Sequence, residues 1–202
     1  MTRLKESLGA LLGAFFIASL LTGCGKPPKI PIYSDLQLEE MKIETVTLMP
    51  VVDRRVDKSY NINLESSIGD KVAKKLQKKG YTVIRPGAFS DTLEFTNEDV
   101  AEMEARELGA FGTAETDYML LVYLDDASSK TALGYSFKME ATGLLLKKQT
   151  AAMLWKDKGI GSQGQGGLAG CMMSSMVKGE AINACLTDML SSFPNAPSKR
   201  KA

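Results

Sequence analysis

The residues with the most distinctive chemistry in this sequence are its three cysteines. Cys24 follows Leu21-Thr22-Gly23, small residues that a narrow peptidase cleft can seat, and its thiol can accept diacylglycerol as a thioether. Cys171 and Cys185 stand apart from it. In an exported chain, which meets an oxidising compartment, they are candidates for a disulfide. On one unbroken helix they would lie about 21 Å apart, far beyond the Cα reach of about 7 Å that a disulfide allows. A bond therefore needs a break between them, for which Gly179 is the candidate. The alternative, two small buried apolar thiols, stays open.

Other side chains offer weaker chemistry. There is no histidine, which removes the commonest general base and metal ligand. Gly159-Ile-Gly161-Ser-Gln-Gly164 fits the G-x-G-x-x-G pattern of dinucleotide sites, but Trp155 to Lys158 before it is no buried parallel strand. Too little chain follows for the rest of such a unit, so a flexible glycine- and glutamine-rich stretch over 159–170 is expected instead. Asp125 and Asp126 are adjacent, so in a strand they point to opposite faces; a polar hairpin explains them without catalysis. Ser128, Ser129 and Lys130 lack a surrounding nucleophile motif. The expectation is no enzyme, no cofactor and no metal. Lys71, Lys74, Lys75, Lys78 and Lys79 form a basic cluster that suits a solvated helix C-terminus better than a lipid contact. With a net charge of +1 and no aromatic interleaving, nucleic acid is not an expected partner. Gly166 and Gly170 form a G-x-x-x-G pair beside Met172, Met173 and Met176. Packing on the chain's own sheet, with methionine filling gaps, is the simpler reading; the same residues are also the foremost candidate for an interaction surface, through close helix contact between protomers or at the bilayer surface.

The N-terminus gives Cys24 its context. Arg3 and Lys5 start it, Leu8 to Leu21 form an apolar run of signal-peptide length, and Leu21–Cys24 follows. The run is too short to span a bilayer. Charge, apolar run and cysteine in that order resemble a bacterial lipoprotein signal with its lipobox. The expectation is a signal peptide over 1–23 and a mature chain that starts at an acylated Cys24 and is membrane-anchored through that lipid. Gly25, rather than an aspartate, is compatible with the outer membrane, facing the periplasm. Stable anchoring takes more than one acyl chain, at about 0.8 kcal/mol per buried methylene.

The elements that would position these residues follow in order. Residues 24–42, with Pro27, Pro28 and Pro31, read as a tether. One domain spans 43–194 and a loose tail spans 195–202. Ile43–Val52 reads as a strand. Leu64, Ile68, Val72 and Leu76 recur every fourth residue, one stripe of a helix that Asn63 caps and Gly80 ends. Tyr81–Arg85 is a short strand, and Thr96–Leu108 a second helix. Thr116–Leu124 is an apolar strand. Leu133–Leu146 alternates, with Tyr135, Phe137, Met139 and Ala141 on one face. Ala151–Asp157 is another strand, with hairpin connections at 125–130 and 147–150. A helical region from about Leu168 to Ser192 closes the chain. The sum is an α+β fold: a β-α-β unit followed by an antiparallel meander, one mixed β-sheet with helices packed on it.

Several stretches together resemble a known group. They are the lipobox, Val46-Thr-Leu-Met-Pro50, Leu76-Gln-Lys-Lys-Gly-Tyr-Thr-Val-Ile84, Leu108-Gly109 before Thr116-Asp117-Tyr118, the run Leu144–Trp155 and the helix ending in Phe193-Pro194. This order is similar to small envelope lipoproteins related to the curli secretion lipoprotein, the lipoprotein activators of peptidoglycan synthases and the N-terminal domain of the Tol periplasmic protein. Among them it resembles most the periplasmic lipoproteins that carry a domain of unknown function. The resemblance implies a non-enzymatic accessory or scaffold in envelope assembly or export, with other envelope proteins as partners and homo-oligomers within its range. It brings no catalytic residues. The rival expectation is a periplasmic lipoprotein that binds a small ligand or glycan.

Overall fold

The sequence from Tyr118 to Leu124 is apolar at nearly every position, which in a strand loads both faces. In the computed structural model, which describes residues 29–85 and 116–200, both faces of this strand are indeed buried. Leu120, Val122 and Leu124 join one apolar cluster with the helices, while Met119, Leu121 and Tyr123 join a second with Met49, Val52, Leu144 and Leu146.

The strands are β1 (Tyr33–Ser34), β2 (Thr45–Leu48), β3 (Val52–Asp53), β4 (Thr82–Ile84), β5 (Tyr118–Lys130), β6 (Gly134–Lys147) and β7 (Ala152–Gly166). They form one seven-stranded sheet ordered β1-β7-β6-β5-β2-β4, with β3 also on β5. The β-α-β expectation holds: β2 and β4 pair in parallel, Thr45 opposite Thr82. The meander holds too, as β5, β6 and β7 pair antiparallel in sequence. The helices are α1 (Asp70–Lys78), α2 (Gly167–Met172), α3 (Ser174–Met189) and α4 (Pro197–Arg200). The fold is therefore α+β, a mixed sheet with helices packed on it.

The stripe Ile68, Val72, Leu76 is fully buried. A wide turn over Glu65–Gly69 leads into α1, the Asn63 side chain accepts a hydrogen bond from the Ser66 amide at 3.0 Å, and Gly80 follows the helix at φ +95°. The lysine cluster here is structural in large part. Lys75 donates to Thr187 Oγ1 at 2.6 Å and Lys79 to the Phe193 carbonyl at 2.6 Å, so these cations tie α1 to the C-terminal region.

Five boundaries differ from the sequence reading. The strand expected over Ile43–Val52 is split around Pro50 into β2 and β3. The hairpin expected at 125–130 is instead the end of β5, and the turn lies at 131–133; the polar residues mark where the strand leaves the core, not where it stops. The glycine-rich stretch expected to be flexible is strand as far as Gly166. The tether gives way to packed chain before Ile43, since Tyr33–Ser34 pairs with β7 and Leu38 is buried. The tail is docked rather than loose: Ala196 is buried, its amide donates to the Lys79 carbonyl at 2.9 Å, and α4 follows. The helix expected over Thr96–Leu108 lies outside the described residues, as does Cys24.

The reason for a strand at Gly159 and Gly161 is the helix above it. Val177, Ala181, Cys185 and Met189 make a stripe at every fourth position, all buried. A Cβ on Gly159 would stand 2.1 Å from the Cys185 carbonyl oxygen, and one on Gly161 would stand 2.0 Å from that of Ala181. Only hydrogen at these positions lets α3 seat on β7 so closely.

Candidate interaction surface

At the far end of the meander the chain folds back on itself. Gly134 adopts φ +140°, and a Cβ there would collide with the Gln165 carbonyl at 2.3 Å. Gly167, at φ +69°, opens α2 directly after β7 and donates its amide to the Leu133 carbonyl at 2.9 Å. This places α2 over the β5–β6 turn. Gly170 is what lets it lie flat, because a Cβ there would sit 1.9 Å from the Gln165 carbonyl oxygen. The Gly166–Gly170 pair thus serves a helix packed on its own sheet at Gly170. Gly166 has only the Leu133 carbonyl near it, at 3.8 Å.

The methionines beside this pair do not follow the gap-filling reading. Leu133, Leu168 and Met172 are 92%, 86% and 87% exposed, and Met176 is 45% exposed. Leu168, Met172 and Met176 recur every fourth residue along the outer side of α2 and the start of α3, next to Leu133, and Met173 is half-buried. Exposed apolar groups gathered in this way mark an interaction surface more often than single ones do. Beside them runs an open groove of about 280 Å³, lined by Lys130, Leu133, Tyr135, Ser136 and Gln165 among others. Tyr135 closes its inner side. Burial, then the hydrogen bond with the Tyr60 hydroxyl at 3.0 Å, pushes the Tyr135 phenol up to about 12, so it stays neutral and offers no base.

A second feature of this end is the outer edge of β7. Its first part is used by the chain itself: the Asp35 amide donates to the Leu154 carbonyl at 2.8 Å, and Tyr33 and Ser34 pair with Lys156 and Trp155. Further along, the Lys158 carbonyl accepts from Lys29 Nζ, and the Ile160 amide donates to Asp188 at 3.1 Å. Alternate residues of an antiparallel strand present their amide and carbonyl to the same side, so Ser162 and Gly164 come next along this edge. Among the described residues no strand pairs with them there, and Ser162 through Gly166 are exposed.

The remaining sequence candidates are dispersed. Cys171 and Cys185 are both free, the first exposed on α2 and the second buried on the β7-facing side of α3. The disulfide expectation is therefore corrected: the break between α2 and α3 turns the two thiols in different directions. Burial pushes the Cys185 thiol up to about 12, and its Sγ donates to the Gly159 carbonyl at 3.3 Å. Of the G-x-G-x-x-G glycines, Gly159 and Gly161 lie in β7 under α3, and Gly164 lies in its exposed end beside Ser136. Asp125 accepts a hydrogen bond from Thr142 at 2.6 Å beside a register shift in β5. Glu140 holds Lys138 at 2.6 Å and Lys158 at 2.5 Å, and hydrogen bonds from those two lysines keep its carboxyl below the usual range. Among the described residues no group of three or more His, Cys, Asp or Glu could hold a metal ion. Sequence reasoning missed Leu133 and the β7 edge; Leu133, flanked by Ala132 and Gly134 just after the polar run 128–131, was the available signal for the first.

No protein-family model and no curated protein matches the chain. Solved structures do. Protein XCC0632 from Xanthomonas campestris, of family DUF330, has TM-score 0.50 and 9% identity, over 86% of this chain and 95% of that one. Lipoprotein GNA1162 from Neisseria meningitidis has TM-score 0.47 and 17% identity, over 66% and 94%. The LpoB C-terminal domain from Salmonella enterica has TM-score 0.44 and 15% identity, over 62% and 87%. At such identities the likeness is one of fold.

Proposed function

We propose that this protein is a lipid-anchored, non-enzymatic component of the bacterial cell envelope that binds another envelope protein along the outer edge of β7. The anchor rests on the ordered N-terminal signal ending in Cys24, and Gly25 after it is compatible with the outer membrane, with the domain facing the periplasm. The observation that carries protein binding is the exposed edge at Ser162–Gly166. It continues a line on which the chain's own Tyr33–Ser34 already adds a short strand. A partner's extended segment adds there through main-chain hydrogen bonds, and the flat glycine- and glutamine-rich flank leaves it room. An unpaired edge left without such a partner is a liability for a periplasmic domain.

The test is a photo-crosslinking residue at Ser162 in cells, with one at the exposed Lys74 as control. The expected result is one discrete envelope protein captured from Ser162 and not from Lys74. Capture falls when Ser162→Pro removes an outward amide, a change that an edge strand tolerates. Capture of a second copy of this chain would make the partner a homo-oligomer. No adduct, or an adduct unchanged by the proline, would overturn the reading.

A further inference from the structure

The apolar end of the domain, Leu133, Leu168, Met172 and Met176, has an orientation relative to the N-terminus. In β1, Tyr33 lies opposite Lys156 and Ser34 opposite Trp155. Traced backwards from Tyr33, the chain therefore runs toward higher β7 numbers, that is, toward Gly166. Lys29 fixes this course: its ammonium sits 3.3 Å from both Asp157 and Asp188, and donates to the carbonyl of Asp188 at 3.1 Å and to that of Lys158. Ile30 and Ile32 on the way are exposed. From Ile160 to Gly166 β7 covers about 20 Å. Cys24 lies five residues before Lys29, a separation of at most about 17 Å.

Charge points the same way. From Ala127 to Met139, and again from Lys158 to Gly179, the sequence has no Asp or Glu. Lys130 is exposed beside the groove, and Lys178 lies over the Tyr60 ring at 4.8 Å. An apolar end built from two acid-free stretches, with Lys130 and Lys178 beside it, fits an anionic lipid surface. No described helix is long and apolar enough to cross a membrane.

We infer that Leu133, Leu168 and Met172 rest in the headgroup region of the bilayer that holds the lipid on Cys24, so that the domain stands on its α2 end. This rests on the lipid anchor proposed above. Two contacts, anchor and tip, fix an orientation that a single flexible tether does not.

The test uses the full-length acylated protein in vesicles of phosphatidylethanolamine and phosphatidylglycerol, in which either lipid carries brominated chains. A tryptophan is placed by Leu133→Trp or Met172→Trp, and by Leu36→Trp as an exposed control. The native Trp155 is fully buried and supplies a constant background. The expected result is a blue shift and bromolipid quenching of the indole at 133 and 172, not at 36, with weaker quenching when phosphatidylglycerol is omitted. Equal quenching at all three sites, or none at any, would overturn the tip contact. So would a photo-crosslinker at Leu133 that captures protein in place of lipid in cells. Mass spectrometry of the same sample separates the two ideas: an acylated protein without quenching ends the tip contact alone, whereas an unacylated protein ends the anchor.

Discussion

The two halves of β7 both carry glycine, with opposite consequences. Leu154 to Gly161 and Ser162 to Gly166 are both glycine-bearing, and the second half contains only serine, glutamine and glycine. Under the first half glycine is a packing requirement: Gly159 and Gly161 let the α3 backbone approach within van der Waals distance. Around them Trp155 meets Phe193 edge-on at 4.9 Å, and Tyr81 meets Phe193 at 5.4 Å. The Trp155 indole donates to Ser192, whose hydroxyl donates to the buried Asp157 at 2.6 Å. In the second half the glycines Gly164 and Gly166 lie in an exposed edge instead. One strand thus contains both the most constrained part of the domain and its most available surface, and glycine alone does not say which is which.

Substitution breaks that comparison most sharply. Gly161→Val drives a side chain into the α3 backbone and costs more than about 3 kcal/mol, whereas Gly166→Ala changes stability by less than about 0.5 kcal/mol; denaturant midpoints of the two variants measure the contrast. Trp155→Ala falls in the same class as the first, about 3–5 kcal/mol. Asp157→Ala comes next. It leaves Ser192 without its acceptor and Lys29 without one of its two carboxylates, which costs about 1–3 kcal/mol and speeds proteolysis near Lys29.

A milder effect comes from pH. Burial pushes the Asp53 carboxyl up, but its hydrogen bonds from Arg55 outweigh this and hold it below the usual range; Glu140 is lowered by Lys138 and Lys158. Both carboxyls bind protons more readily unfolded than folded. Their stabilisation is therefore full above the ordinary carboxylate range and disappears as pH falls through the lowered values. Unfolding midpoints measured from neutral pH down to about pH 3 decline, and Glu140→Gln makes the decline shallower. The smallest perturbation is thiol labelling: a maleimide reaches Cys171 in the native domain and Cys185 only after unfolding, so one of these two thiols labels before denaturant and both after.

The fold was legible where periodicity was strong. The stripe Ile68, Val72, Leu76 and the alternation Tyr135, Phe137, Met139, Ala141 each name their buried face without ambiguity. The β-α-β order and the meander followed from them. What stayed hidden depends on neighbours distant in sequence. Gly159 and Gly161 read as a loop because the helix that needs them begins thirteen residues after Gly161, at Ser174. Asp125 and Asp126 read as a turn because polarity looks the same whether a strand ends or merely leaves the core. The interaction surface was half legible: Gly170, Met172 and Met176 were singled out, but the edge of β7 is a property of pairing, and no local pattern announces which strand has only one long neighbour. Exposure of Leu168 and Met172 likewise followed only once α2 was seen to cross the β5–β6 turn.

The proposed envelope role and the proposed bilayer contact both presuppose a lipid on the sulfur of Cys24. Intact-mass spectrometry of the protein taken from its native membrane fraction tests this most directly. The account predicts a chain that begins at residue 24 and carries the added mass of a diacylglycerol unit, and a Cys24→Ser variant that keeps residues 1–23 and lacks the lipid. A native chain that retains residues 1–23, or one that begins with an unmodified cysteine, would contradict it.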